Sequence, residues 1–114
     1  MTSTIEQSGS FTVITIGYDA IDTTTIRQFR RDLEDGLAGQ PLLVVDLTNV
    51  RFIDSSGLGA LLSAQRKLAE RGGDLRLCSL TPQVRTLFEL VRLYRVFDIS
   101  NTRVEAMLQE AAPR

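Results

Sequence analysis

A carboxylate and two hydroxyls stand in a row at Asp54-Ser55-Ser56, followed by Gly57-Leu58-Gly59. Four readings of that run compete. Asp54 or Ser55 could simply cap a helix, its side-chain oxygen accepting from a free backbone N–H. Ser55 could carry a phosphate, since a helix start offers N–H donors and a positive dipole end that favour an anion. On that reading Gly57 and Gly59 let another chain come close. Ser55 could instead be a nucleophile, but that chemistry needs a base beside it. The chain has no histidine, and Lys67 lies about three turns further along the same helix. The fourth reading is dinucleotide binding, because Gly57-Leu58-Gly59 follows a strand. It fails at the third glycine position, which holds Leu62, and 114 residues leave no room for two mononucleotide halves.

The absence of histidine removes the commonest general base, metal ligand and near-neutral pH switch together. With one cysteine, Cys78, neither an internal disulfide nor a cysteine metal cluster can form within the chain. Cys78 sits in the run Leu75-Arg76-Leu77-Cys78 and reads as a small core residue. Thirteen basic against fourteen acidic residues give a formal net charge of −1. The arginines are scattered rather than gathered into a stripe, which argues against a nucleic-acid partner. The first residues lack a basic stretch followed by an apolar run, and no apolar run approaches the ~20 residues that span a bilayer. A cytoplasmic protein without membrane insertion, cofactor or metal is expected, and an enzyme is not.

The elements that must hold these residues follow from periodicity. Phe11 to Ile16 reads as a β-branched strand, with a short strand around Ile5 paired to it through Gly9. Asp22 and Thr23 offer N-cap chemistry for a helix reaching about Ala38. Its apolar stripe is Ile26, Phe29, Leu33 and Leu37, its wet side Arg30, Arg31 and Asp32, and Gly36 and Gly39 loosen its end. The nearly continuous apolar run Leu42–Leu47 suits a central strand covered on both faces. Val50 to Ile53 leads into Asp54 and a helix with Leu58, Leu61, Leu62, Leu68 and Ala69 on one stripe, stopped by Gly72-Gly73.

Leu75–Leu80 is the next strand, and Thr81-Pro82 opens a helix that buries Val84, Leu87, Phe88 and Val91. Val96–Ile99 reads as an edge strand. Thr102–Glu105 has capping-box form and starts a last helix with inner face Val104, Met107, Leu108 and Ala111. Strands alternating with helices imply an α/β fold: a mixed, mainly parallel sheet of four to five strands with about four α-helices. One domain over residues 1–114 is expected, its core running from about 5 to 110.

The run Asp46-Leu47, then Phe52 to Gly59, resembles the signature of STAS domains, and within them of bacterial anti-sigma-factor antagonists. The likeness continues through Gly72–Leu75, Thr81–Val84 and Leu87–Leu90 to Val96-Phe97, from about Ile5 to Leu108. The family's early Gly-x-Leu/Ile-Asp corresponds to Asp19-Ala20-Ile21-Asp22, where Ile21 and Asp22 fit and Asp19 stands in place of the glycine. The resemblance implies that Ser55 is the phosphoacceptor and that the unphosphorylated chain binds a serine-kinase-type anti-sigma factor, releasing the sigma factor. It implies that phosphorylation ends binding and that a PP2C-type phosphatase reverses it. Asp22, Asp54, Ser55, Ser56, Gly57 and Leu58 are the expected partner-binding residues, in a monomer or weak dimer. The alternative is a non-switching STAS scaffold or an accessory subunit of a membrane transporter.

Overall fold

The structure is a computed structural model, and it describes residues 2–108. β1 (Thr4–Ser8) and β2 (Phe11–Thr15) form an antiparallel hairpin with Ser8 opposite Phe11. The two-residue turn needs a positive φ at its first position, and Gly9 supplies it at +61°. β2 then runs parallel to β4 (Leu42–Asp46), β4 to β6 (Asp74–Cys78), and β6 to β7 (Asp98–Ser100). The five-stranded order is β1-β2-β4-β6-β7, so β4, the most continuously apolar segment, is central. A second, two-stranded parallel sheet pairs β3 (Ala20–Ile21) with β5 (Phe52–Ile53). Two residues per strand give too short a pattern for alternation to reveal this sheet in the sequence.

α1 (Ile26–Leu37), α2 (Ser55–Glu70) and α3 (Pro82–Leu90) pack with one face of the main sheet, burying Ile14, Leu43, Val45, Leu75 and Leu77 beneath Phe29, Leu61, Leu68 and Phe88. α2 ends in a Schellman arrangement. Gly72 N–H bonds the Ala69 carbonyl and Gly73 N–H the Leu68 carbonyl, with Gly72 at φ +75°. The other face is smaller: Phe11, Val13, Val44 and Cys78 lie with Ala106 of α4 (Arg103–Leu108). Among the described residues no helix is long and apolar enough to cross a membrane.

Several expectations need correction. The N-cap of α1 is Thr25, and Asp22 instead closes the preceding turn, its carbonyl accepting from Thr25 and Ile26. Asp32 is buried rather than wet, because Ser3 Oγ, Tyr18 Oη and Gln28 Nε2 all donate to its carboxylate at 2.7–2.8 Å. Gly36 lies inside α1, where an added Cβ would strike Ile14, so it permits close packing rather than loosening the end. On α2, Leu62 and Ala69 face solvent while Gln65 is buried, its amide bonded to Asp74 and Leu75 N–H.

Val91 is exposed, because it falls at the C-cap of α3. Val104 and Leu108 are also exposed: polar anchors set the rotation of α4 and turn Ala106 inward. Arg76 Nη1 donates to the Ala106 carbonyl at 2.6 Å, and Arg103 Nη2 reaches Thr15 Oγ1 at 2.6 Å and Asp46 at 3.4 Å. Ala111, with residues 109 and 110 of the expected core, lies outside the described residues.

Candidate functional site

The two-stranded sheet builds the site. Backbone N–H groups of Arg51 and Phe52 donate to the Asp19 carbonyl at 2.7 and 3.2 Å, and Asp54 N–H donates to the Ile21 carbonyl at 3.0 Å. Ile21 and Ile53 are buried beneath. This lacing brings two loops distant in sequence together and sets the Asp22 and Asp54 carboxylates close enough for their charges to interact.

Asp54 is the N-cap of α2. Its Oδ1 accepts from Ser56 N–H at 2.9 Å, Gly57 N–H at 3.1 Å and the Ser56 hydroxyl at 2.5 Å. The Ser56 hydroxyl bond is the main cause holding the Asp54 carboxyl below its usual range, with the Gly57 N–H helping and Asp22 opposing. Asp22 is treated alike by Thr24, whose hydroxyl and N–H donate to its Oδ1 at 2.6 and 2.9 Å and lower its pKa. Both groups are therefore carboxylates at neutral pH. The helix start is thus not an empty anion cradle, since Asp54 already takes two of its N–H donors.

The two serines differ. Ser56 is half-buried and committed to Asp54. Ser55, the first residue of α2, is exposed, and its hydroxyl makes no hydrogen bond within the described residues. Leu58 is half-buried against the core. Gly57 is buried, and an added Cβ would stand 2.6 Å from Ile21 Cγ2 and 2.7 Å from Ile53 Cγ1. It therefore lets the helix seat on the small sheet, and it is closed to another chain. Gly59 is the open one of the pair, with nothing within 4 Å.

The structure thus gathers Asp22, Asp54, Ser55 and Ser56 at one end of the molecule, with Gly57 and Leu58 beneath them. It adds Phe52, part of the STAS-like run but not among the expected partner-binding residues. Alternation held the signal: with Ile53 pointing into the core, its neighbour in a strand must face out. A cleft of about 470 Å³ lined by Asp19, Asn49, Arg51, Thr81 and Gln83 opens on the same loops. No group of three or more His, Cys, Asp or Glu among the described residues could hold a metal ion.

A STAS domain family model matches residues 2–106. The chain is 31% identical over 67 residues to the anti-sigma F factor antagonist of Paenibacillus polymyxa, covering 59% of this chain and 57% of that one. It is 36% identical over 64 residues to the anti-sigma-B factor antagonist of Listeria monocytogenes, covering 56% of each. The matched stretch thus spans little more than half the length of these relatives. The crystal structure of an anti-sigma factor antagonist from Mycobacterium paratuberculosis superposes with a TM-score of 0.82 at 26% identity, covering 93% of this chain and 90% of that one.

Proposed function

This chain belongs to the STAS domain family, and from that premise we propose that it is an anti-sigma-factor antagonist switched by phosphorylation of Ser55. The unphosphorylated chain binds a serine-kinase-type anti-sigma factor through Asp22, Asp54, Ser55, Ser56 and Leu58, and so frees the sigma factor. The chain itself performs no catalysis. The anti-sigma factor spends ATP to phosphorylate Ser55, and a PP2C-type phosphatase restores the hydroxyl. The observation that carries this reading is the contrast between the serines: one hydroxyl is exposed and without a hydrogen bond among the described residues, the next is locked to Asp54.

The electrostatics fit a release switch. A phosphate on Ser55 adds about −1.5 to −2 charge at neutral pH. It would stand beside Asp54, with Asp22 close by, both ionised. Asp54 occupies the Ser56 and Gly57 N–H groups, so those two donors are not free to bind the phosphate. A kinase that reaches Ser55 also holds its spent nucleotide there, and the two anions repel across the contact. A loss of roughly 2–3 kcal/mol weakens binding about 30- to 150-fold, enough for a switch.

Ser55→Ala and Ser55→Asp test the reading by calorimetric titration with the anti-sigma factor. The alanine variant, which loses one hydroxyl but gains no charge, is expected to bind within about threefold of wild type and take no phosphate. The aspartate variant is expected to bind at least about tenfold more weakly with unchanged far-UV circular dichroism. Equal binding by all three proteins contradicts the proposal.

A further inference from the structure

Phe52 is the one phenylalanine of five that the fold does not bury. Phe11, Phe29, Phe88 and Phe97 are at most 9% exposed, whereas Phe52 is 54% exposed. The fold does not tolerate it loosely. Its N–H and that of Arg51 are tied to the Asp19 carbonyl, its strand is paired to β3 with Phe52 opposite Ala20, and the next residue, Ile53, is anchored in the core. A phenyl ring is thus held out into solvent on a rigid element, three residues before Ser55, with Asp54 and Asp22 on the same laced pair of loops. Among the described residues no aromatic or cation–π partner engages the ring, and exposing so large an apolar group gains the free chain nothing.

We propose that Phe52 is the anchor by which the chain docks on the kinase-type anti-sigma factor, its ring filling an apolar pocket that carries cationic groups on the rim facing Asp22 and Asp54. The inference rests on the partner assignment above and adds to it the residue that supplies most of the affinity. Rigid aromatics at the centre of a contact typically dominate binding, while surrounding charges set orientation and rate. The occupant follows from continuity and charge. Phe52 stands three residues before the serine that a kinase must reach, and the carboxylates of Asp22 and Asp54, hydrogen-bonded by Thr24 and Ser56, call for cationic groups on a surface that covers them. A phenyl ring carries no group that takes part in phosphoryl transfer, so it contributes binding and leaves the transfer step alone.

The test uses the full chain with each serine-kinase-type anti-sigma factor of its source, loaded with ADP for binding and with ATP for turnover. Phe52→Ala is expected to weaken the complex about 30-fold and to raise KM for Ser55 phosphorylation by a similar factor, with kcat within twofold. Phe52→Tyr should restore most of the affinity. Leu90→Ala, which removes a 76% exposed apolar side chain at the far end of α3, should bind like wild type. The melting temperature of each variant reports folding separately. Wild-type phosphorylation with an unaltered KM in Phe52→Ala overturns the anchor and leaves the switch standing. Failure of wild type to bind any of these kinases overturns the switch and the anchor together. Loss of self-association in Phe52→Ala, with kinase binding intact, would assign the ring to a contact between copies instead.

Discussion

At the scale of single residues, two glycines two positions apart show how differently one residue type is used. Gly57 is wedged against Ile21 and Ile53, whereas the Cβ position of Gly59 is open. Gly57→Ala is therefore expected to destabilise the fold by about 1–3 kcal/mol through overpacking. Gly59→Ala should stabilise it by about 0.5–1 kcal/mol, because alanine costs less to order inside a helix. Urea unfolding of both variants checks the pair. Asp54 gives a pH signature. Its pKa is lowered in the folded chain, so its stabilisation is present above the unfolded carboxyl value of about 3.9 and fades as pH falls through the folded value. The melting temperature of Asp54→Ala should lie about 3–10 °C below wild type at pH 7, and the gap should close in acid. A gap independent of pH would remove the carboxylate from the cap. Type and spacing marked the Asp-Ser-Ser-Gly run as a helix start with several readings open, and the STAS resemblance singled out Ser55 among them. Which serine is free was not legible, since that depends on where the Asp54 carboxylate turns.

At the scale of elements, the sequence pattern gave the main sheet and the four helices and missed the two-stranded sheet. β2, β4, β6 and the helices α1 to α3 carry enough apolar residues for periodicity to mark them. β3 and β5 hold two residues each, yet their pairing is what joins Asp22 to Asp54. α4 was found by its Thr102–Glu105 cap, with Thr102 Oγ1 accepting from Glu105 N–H at 3.1 Å. Its buried face was not, because that helix is held by polar anchors rather than an apolar stripe. Buried Arg76 bonds the Ala106 carbonyl, pairs with Asp74 at 3.4 Å, and sits with its guanidinium carbon 5.3 Å from the centroid of the Phe11 ring. Arg76→Met would leave that carbonyl without its donor, at a cost of about 1–3 kcal/mol. Hydrogen exchange of the α4 amides is expected to quicken by roughly 5- to 150-fold while β4 keeps its protection. Equal acceleration in both would show that Arg76 supports the whole fold rather than α4.

At the scale of the whole molecule, the parallel sheet places Cys78 in β6 as a reporter of global opening. Burial is the main cause raising its thiol to about 11, and the nearby Asp46 charge adds to this. Near pH 8.5 such a thiol is only ~0.3% thiolate even before access is considered. Maleimide labelling should be slow in the folded chain and rise by three orders of magnitude or more in urea. Rapid labelling without denaturant would contradict the packing of the smaller sheet face. The fold class was readable because alternating strands and helices admit few arrangements; which apolar side chains stay exposed was not, since exposure belongs to the assembled molecule. The central claim is that one exposed hydroxyl controls that surface. The most direct test incubates the chain with the serine-kinase-type anti-sigma factor proposed as its partner, with and without ATP, then maps phosphate by mass spectrometry and follows the complex by native gel. A single phosphate on Ser55 and loss of the complex only with ATP is the predicted result. Phosphate on Ser56 or elsewhere, or a complex that survives full phosphorylation of Ser55, would contradict it.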